Sequence, residues 1–498
     1  MRISLVTRHA DSLFTPLALL YLKAAVVDWA GIPADDVTIL EFPPSASVDE
    51  MAEAIEHSAP DVLGVSCYVW NVIDLMAAVA NVKAVRPRVK VVAGGPEVGP
   101  MAERVLTRHS AVDLVVISEG ESPFAELIAA WRDSTPIDQI AGVWSRGVDG
   151  PREHPPAAIL KNLNDLSSPH DRGWVAINGR IACVETQRGC VFRCTFCFYN
   201  KDLSIRNRRF DLDRVKDELL FWLQQDLHQL YLMDPVFNLN AARAKEICRF
   251  IATHNTRRIP IHTEAWAEFI DGELAELMQA ANFTFVEIGL QSTDAETLAT
   301  VDRRLKLPAF LDGVGHLRRC DIPFELQLIC GLPGDTYRTF CQSVDFAASQ
   351  RPHHLAAFLL MVLPGTVLWK QAEELGLIYE PAPPYDVLST PTMSRDDMAR
   401  ARPVARAVRR LWESRTIQTL TRERGVTMSA LAERWVDWCT AEGADPANVA
   451  GHLDAFVLAI CEHYDIDPRL YAALTRLELR DAPSSSTVAS SVSASTAV

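Results

Sequence analysis

Five short runs of apolar, mostly β-branched residues open the chain: ISLVT (3–7), VTIL (37–40), VLGVS (62–66), VKVVAGG (89–95) and VDLVVIS (112–118). Segments of helical periodicity separate them. A strand without polar alternation is apolar on both faces and must be covered on both. That requirement predicts a parallel, doubly wound α/β sheet over residues 1–145. In PLALLYLKAAVVDWAG (16–31), Pro16 suits the first helical turn and Gly31 the stop. Doubly wound sheets bind ligands outside the carboxyl ends of their strands. The segments that fall there are TRHADS (7–12), SCYVWN (66–71), GGPEVG (94–99) and SEGESPF (118–124).

A second alternating region spans 178–366, with strand candidates at 182–186, 228–234, 259–265, 283–291, 323–330 and 355–363. The helical pattern at 211–225 has Asp211 as its expected N-cap. Six βα units are too few for an eight-fold barrel and predict a partial, open (β/α)6 barrel. Residues 146–177, rich in Pro, Gly, Asp and Ser, read as a linker. Residues 367–480 show no strand pattern and predict a helical domain; 481–498 are Ser/Thr/Ala low complexity and predict a disordered tail.

Composition removes several functions. With 49 Lys plus Arg against 64 Asp plus Glu, the net charge of −15 argues against a nucleic-acid footprint. The basic stretch at 399–415 reads as a solvated helix face over the barrel. No run approaches the ~20 apolar residues of a membrane helix. MRISLVTRHA lacks an apolar signal core, and an odd count of 11 cysteines does not form a disulfide framework. The expectation is a cytoplasmic protein with reduced thiols.

The strongest chemical motif is TQRGCVFRCTFCFYNK (186–201), in which Cys190, Cys194 and Cys197 follow the first strand of the second region. Three thiolates on one short loop can hold three irons of a 4Fe–4S cluster and leave the fourth open. A structural zinc site would need a fourth ligand, and Cys183 lies in a strand pattern. Glu287 sits in the apolar run TFVEIGLQ, where an unpaired carboxylate is costly. It therefore requires a polar partner, whether a ribose, an arginine or a buried salt bridge.

The loop resembles the signature of radical S-adenosylmethionine (SAM) enzymes, and LMDPVFN (232–238), VEIGLQS (286–292), CGLPGDT (330–336) and VLPGT (362–366) resemble that family's later strand-end motifs in order and spacing. The resemblance implies a cluster on Cys190, Cys194 and Cys197. It implies SAM contacts from Phe196, Asp234, Glu287, Gln291, Gly331 and Pro333. A doubly wound sheet before such a barrel resembles the cobalamin-binding subgroup, in particular members with a C-terminal helical domain of unknown function. That resemblance implies cobalamin contacts from Ser66, Tyr68, Trp70, Asn71, Gly94, Gly95, Glu119 and Gly120. Tyr68 and Trp70 equally suit packing of a helix onto the sheet. The Asp-x-His-x-x-Gly motif of many cobalamin proteins is absent, and His9 stands without it in TRHADSLF.

The activity implied is C-methylation of an unactivated carbon in a small molecule or peptide, with the cluster cleaving SAM and methylcobalamin donating the methyl group. Ring closure or rearrangement without net methyl transfer, and polar methylation, are the alternatives. An external electron donor of flavodoxin or ferredoxin type is implied as partner.

Overall fold

The computed structural model describes residues 1–200, 207–446 and 448–464. The five N-terminal runs form β1 (Ile3–Arg8), β2 (Val37–Phe42), β3 (Val62–Ser66), β4 (Lys90–Gly94) and β5 (Leu114–Val116). They pair in parallel in the order β2-β1-β3-β4-β5. One apolar core lies under helices Val48–Ser58, Val72–Val85 and Ala102–Arg108, and the other under Leu17–Asp28 and Glu121–Asp133. Burial on both faces is the physical reason the runs are continuous. This strand order opens a crevice between β1 and β3 at their carboxyl ends.

The sheet does not stop at residue 145. β6 (Val143–Gly147) and β7 (Gly150–Glu153) continue it antiparallel, where a linker was expected. Val148 and Asp149 form the two-residue turn, and Gly150 takes φ +128°. The Gly and Pro residues there belong to a hairpin and an edge strand, which tolerates proline.

The second region forms β8 (Ile181–Val184), a two-residue pair β9 (Gln187–Arg188) and β10 (Arg208–Arg209), then β11 (Gln229–Leu232), β12 (Ile261–Glu264), β13 (Phe283–Gln291), β14 (Phe324–Cys330) and β15 (His354–Leu359). The six long strands pair in parallel in the order β8-β11-β12-β13-β14-β15, the partial barrel the pattern predicts. One helix-start expectation shifts: Pro16 precedes the first helical residue, Leu17. Asp211 occupies the N-cap as expected, without a side-chain capping bond.

The C-terminal region is helical, as expected, but it also contains a short hairpin, β16 (Ile378–Tyr379) with β17 (Val387–Ser389). Strands of two and three residues are too short for a periodicity to show. Helix Arg395–Trp412 buries Met398, Ala401, Val404, Val408 and Leu411 and packs on β15. Its Arg400, Arg402 and Arg410 pair with Glu433, Asp386 and Glu413, but Arg409 is 15% exposed and faces buried Glu325 of β14 at 3.8 Å, so the basic stretch is ion-paired and only partly the solvated face expected. The expected tail at 481–498 lies outside the described residues. No helix among the described residues is long and apolar enough to cross a membrane.

Sheet and barrel are joined by main-chain bonds. Ile181 N–H donates to Leu13 O at 2.8 Å, Thr15 N–H to Ile181 O at 3.0 Å, and Cys183 N–H to Thr15 Oγ1 at 3.0 Å. The segment after β1 thus lies along the edge strand β8. On the opposite flank Tyr385 donates a hydrogen bond to Glu97, and Gly365 fits against Pro100, where a Cβ would come within 2.6 Å. Glu97 is buried, and burial pushes its carboxyl from 4.5 up to about 7. The folded state therefore holds this proton more tightly than the unfolded chain. Its contribution is complete below pH 4.5 and is lost as pH rises through about 7. Glu97→Gln is expected to flatten that part of the melting-temperature profile against pH.

Candidate active site between the sheet and the barrel

The carboxyl ends of the two sheets face each other across a cavity of about 460 Å³. From the sheet side Ser66, Tyr68, Trp70, Gly94, Gly95, Glu119 and Gly120 line it. From the barrel side come Cys183, Glu185, Arg188, Tyr199 and Arg208. Tyr68 and Trp70 stack at 4.5 Å and 9°, and Trp70 Nε1 is buried without a hydrogen-bond partner. Both aromatics line the cavity, and the Trp70 indole N–H is left unpaired among the described residues.

Gly94 and Gly95 floor this cavity. Gly95 takes φ +108°, and a Cβ there would lie 2.5 Å from Cys67 O. Gly95→Ala is expected to cost about 1–3 kcal/mol from the left-handed backbone alone, with the clash added. Urea denaturation and cobalamin titration of the variant read the two losses.

Asn71 does not line the cavity. Its Oδ1 accepts from Tyr68 N–H at 2.7 Å, and Nδ2 donates to Arg8 O at 3.1 Å and Ser66 O at 3.2 Å. The amide is used up clamping the turn after β3, so Asn71 is corrected from cofactor contact to turn clamp. His9 lines the cavity, but its Nε2 lies 2.8 Å from Glu41 Oε2, which also pairs with Arg180 at 2.6 Å.

Glu119 belongs to an ionic network across the domain junction. Arg208 Nη1 donates to it at 2.9 Å, and Arg188 lies 3.8 Å away. Arg188 also pairs with Glu121 at 2.8 Å and Glu185 at 2.9 Å, over the Tyr21 ring at 5.0 Å. Burial works to raise Glu119, but the Arg208 and Arg188 guanidiniums hold it below the usual carboxylate value. Glu185, which among the described residues accepts a hydrogen bond from Arg188 alone, stays raised by burial.

A second cavity, of about 140 Å³, opens in the barrel mouth. Cys190, Cys194 and Cys197 line it with Phe196, Glu264, Trp266, Glu287, Gln291, Arg303 and Gln327. The loop is pinned by its backbone: Thr195 N–H donates to Val301 O at 3.0 Å, Leu368 N–H to Thr195 O at 2.8 Å, and Cys197 N–H to Cys194 O at 3.0 Å. Burial pushes the Cys190 thiol up to about 11 and the Cys197 thiol up to about 12. Thiolates at such positions require a metal to share their charge. Among the described residues no three His, Cys, Asp or Glu side chains converge on one ion-sized point. Three thiols ringing a cavity instead match a polynuclear cluster, one iron per thiol.

Glu287 is 2% exposed. Its oxygens accept from Gln327 Nε2 at 2.5 Å and meet His262 Nε2 at 2.8 Å. Burial lowers His262 to about 3, so the ring is neutral and the contact is a hydrogen bond, not a salt bridge. Glu264 accepts from Tyr231 Oη at 2.8 Å. Burial raises both carboxyls, and Glu287 raises Glu264 further. Gln291 sits at φ +69° beyond a register shift in the β13–β14 pairing, and its Oε1 is buried without a partner.

Three expected SAM contacts lie elsewhere. Asp234 is fully buried and accepts from Thr186 N–H at 2.7 Å, Thr186 Oγ1 at 2.5 Å and Gln187 N–H at 3.1 Å. It ties the end of β11 to the approach of the cysteine loop and lines neither cavity. Gly331, at φ +90°, packs under β17, where a Cβ would meet Val387 Cγ1 at 2.7 Å. Pro333 is buried beside it and also lines neither cavity. The strand-end glycine serves the C-terminal region's packing.

The sequence reading missed His262, Glu264, Gln327 and Arg303. IHTE (261–264) and FELQLIC (324–330) place polar residues at alternate positions of central strands, the same anomaly that exposed Glu287. Arg303, in a helix-to-helix connection, carries no such signal.

Sheet, barrel and thiol ring together define a two-domain α/β protein with an iron–sulfur barrel set against a cofactor-binding sheet. Residues 3–128 match the B12 binding domain and residues 184–347 the Radical SAM superfamily. The chain belongs to the proteins that join these two domains, the cobalamin-binding radical SAM proteins, whose cofactors are cobalamin, SAM and a 4Fe–4S cluster.

It is 29% identical over 357 residues to the cobalamin-dependent radical SAM methyltransferase TokK of Streptomyces tokunonensis, covering 67% of this chain and 51% of that one. It is 27% identical to the 2-(S-pantetheinyl)-carbapenam-3-carboxylate methyltransferase of Streptantibioticus cattleyicolor, covering 70% and 56%. The chain thus spans about half the length of these curated relatives. The radical S-adenosylmethionine methyltransferase TsrM of Kitasatospora setae shares the fold, with TM-score 0.66 at 20% identity over 78% of this chain and 81% of that one.

The residues present fit these groups. Three thiol donors ring one cavity. Gln291 Oε1 and Trp70 Nε1 wait for partners. Gly94 and Gly95 leave space on the sheet side.

Proposed function

We propose that the chain is a cobalamin-dependent radical SAM C-methyltransferase acting on an unactivated carbon of a small molecule or peptide. One observation carries this reading. Tyr199 and Pro235 line both cavities, so the thiol-ringed site and the glycine-floored site share a wall. A substrate held at that wall lies within reach of both.

Cys190, Cys194 and Cys197 would hold the cluster, and Ser66, Gly94, Gly95, Tyr68 and Trp70 the cobalamin. When bound, these groups supply radical formation from SAM and a transferable methyl group. The chain's own residues do the remaining work. Glu264 and Glu287 put carboxyls on the wall of the thiol cavity, which suits a cationic ligand such as SAM. Gln291 Oε1 offers an acceptor there. Between the ligating cysteines, Val191 is 43% exposed and Arg193 is exposed, a face open to an external one-electron donor of flavodoxin or ferredoxin type. Free cysteines throughout the described residues support a cytoplasmic setting.

Anaerobic turnover with methyl-labelled SAM and candidate metabolites tests the reading. The expected products are 5′-deoxyadenosine, S-adenosylhomocysteine and a labelled product. A modified product with 5′-deoxyadenosine alone would move the assignment to ring closure or rearrangement. S-adenosylhomocysteine alone would move it to polar methylation.

A further inference from the structure

Arg303 lies outside the cysteine loop, yet its guanidinium is fixed against it. Nη1 donates toward Cys194 Sγ at 3.6 Å, Nη2 donates to Gly289 O, and Cζ stands 4.2 Å from the Trp266 ring centroid. Trp266 is itself seated. Its ring stacks on Phe192 at 3.9 Å, and Asn238 holds both its N–H and its C=O at 2.9 Å. Among the described residues Arg303 has no carboxylate within ion-pair distance. A half-buried cation is thus held by an aromatic face and a carbonyl, with an Nη1 donor aimed at a thiol. No arginine hydrogen bond of this kind reaches Cys190 or Cys197 among the described residues.

We propose that Arg303 is a positioning residue for the cluster, raising its reduction potential through the hydrogen bond to Cys194 Sγ. This rests on the radical SAM reading of the cysteine loop. Each electron added to a cluster increases its negative charge. An N–H donor and a fixed cation at a ligating sulfur stabilise the reduced form more than the oxidised one. The Trp266 face matters because it holds the cation without neutralising it, as a carboxylate would. The electron itself comes from the external one-electron donor, and Arg303 neither gains nor loses one.

The test is an EPR-monitored redox titration of the anaerobically reconstituted chain, with iron content measured alongside. Arg303→Met is expected to bind iron as the wild type does, with a more negative midpoint. An oxidised-to-reduced ratio raised about tenfold at fixed poise corresponds to ~59 mV. Arg303→Lys restores part of the shift. Trp266→Leu, which leaves the cation but removes its seat, moves the midpoint in the same direction by less. A midpoint unmoved in Arg303→Met overturns the proposal. If that variant holds no iron, unmoved midpoints in the lysine and Trp266 variants overturn it. A wild-type chain with no cluster signal overturns the underlying reading of the loop instead.

Discussion

Cys194→Ala is expected to give a folded protein that binds cobalamin, holds no intact iron–sulfur cluster and forms no 5′-deoxyadenosine from SAM. The fold survives because main-chain bonds pin the loop, through Thr195 to Val301 and Leu368 to Thr195, and not the thiol. Truncating one small side chain at 6% exposure costs about 1 kcal/mol. Function does not survive. The cofactor carries the chemistry, so the roughly 10⁶-fold or greater acceleration typical of enzymes loses its source. Iron content, visible absorbance and a melting curve on the same sample separate the two effects. Unchanged iron would remove Cys194 from the cluster, and loss of fold together with bound zinc would make the loop a structural site.

Arg188→Ala is expected to have the largest effect on stability. The guanidinium is 12% exposed and faces Glu121, Glu185 and Glu119 across the sheet–barrel junction. Removing it strands three carboxylates against one remaining arginine, Arg208, which pairs with Glu119. Breaking a buried ionic cluster from one side costs about 3–5 kcal/mol. That lowers the first melting transition by roughly 10 °C. The variant carries its own pH signature. Without Arg188 the burial of Glu185 has no counterweight, so its folded pKa rises further above the unfolded value. The folded state then holds more protons than the unfolded one, and the variant recovers stability as the pH falls. A variant that melts like the wild type would show that the network is solvated. Arg188→Lys should recover only part of the loss, since an ammonium cannot reproduce the guanidinium fork.

What was legible in the chain follows from what leaves a period. The uninterrupted apolar runs gave the N-terminal sheet, because burial on both faces permits no polar alternation, and six strand candidates separated by helical patterns gave the partial barrel. The cysteine spacing gave the thiol ring, because its ligands are close in sequence. Glu287 was legible as a carboxylate where none should be. Asp234, Gly331 and Pro333 were misplaced because a strand end has two uses, facing the cavity or holding its neighbours. Sequence position does not separate Thr186 from a cofactor as the partner of Asp234. Asn71 failed for the same reason, its amide consumed by the turn it occupies. The hairpin at 143–153 was hidden by the Gly and Pro residues that build its turn and edge. Arg303 reaches Cys194 across 109 residues of sequence, and no local pattern records that meeting.

The backbone bonds between Leu13, Thr15 and Ile181 bear on how such a protein can be taken apart. The strip following β1 serves as a seventh stave laid against the barrel's open seam, contributed by the other domain. A barrel excised at residue 178 would leave that seam bare, an invitation to aggregate through the unpaired edge of β8. An exchange of sheets between homologues would have to transplant the stave along with the domain that carries it. The spacing between the two cavities is thus set by main-chain bonds across the junction, before either is filled.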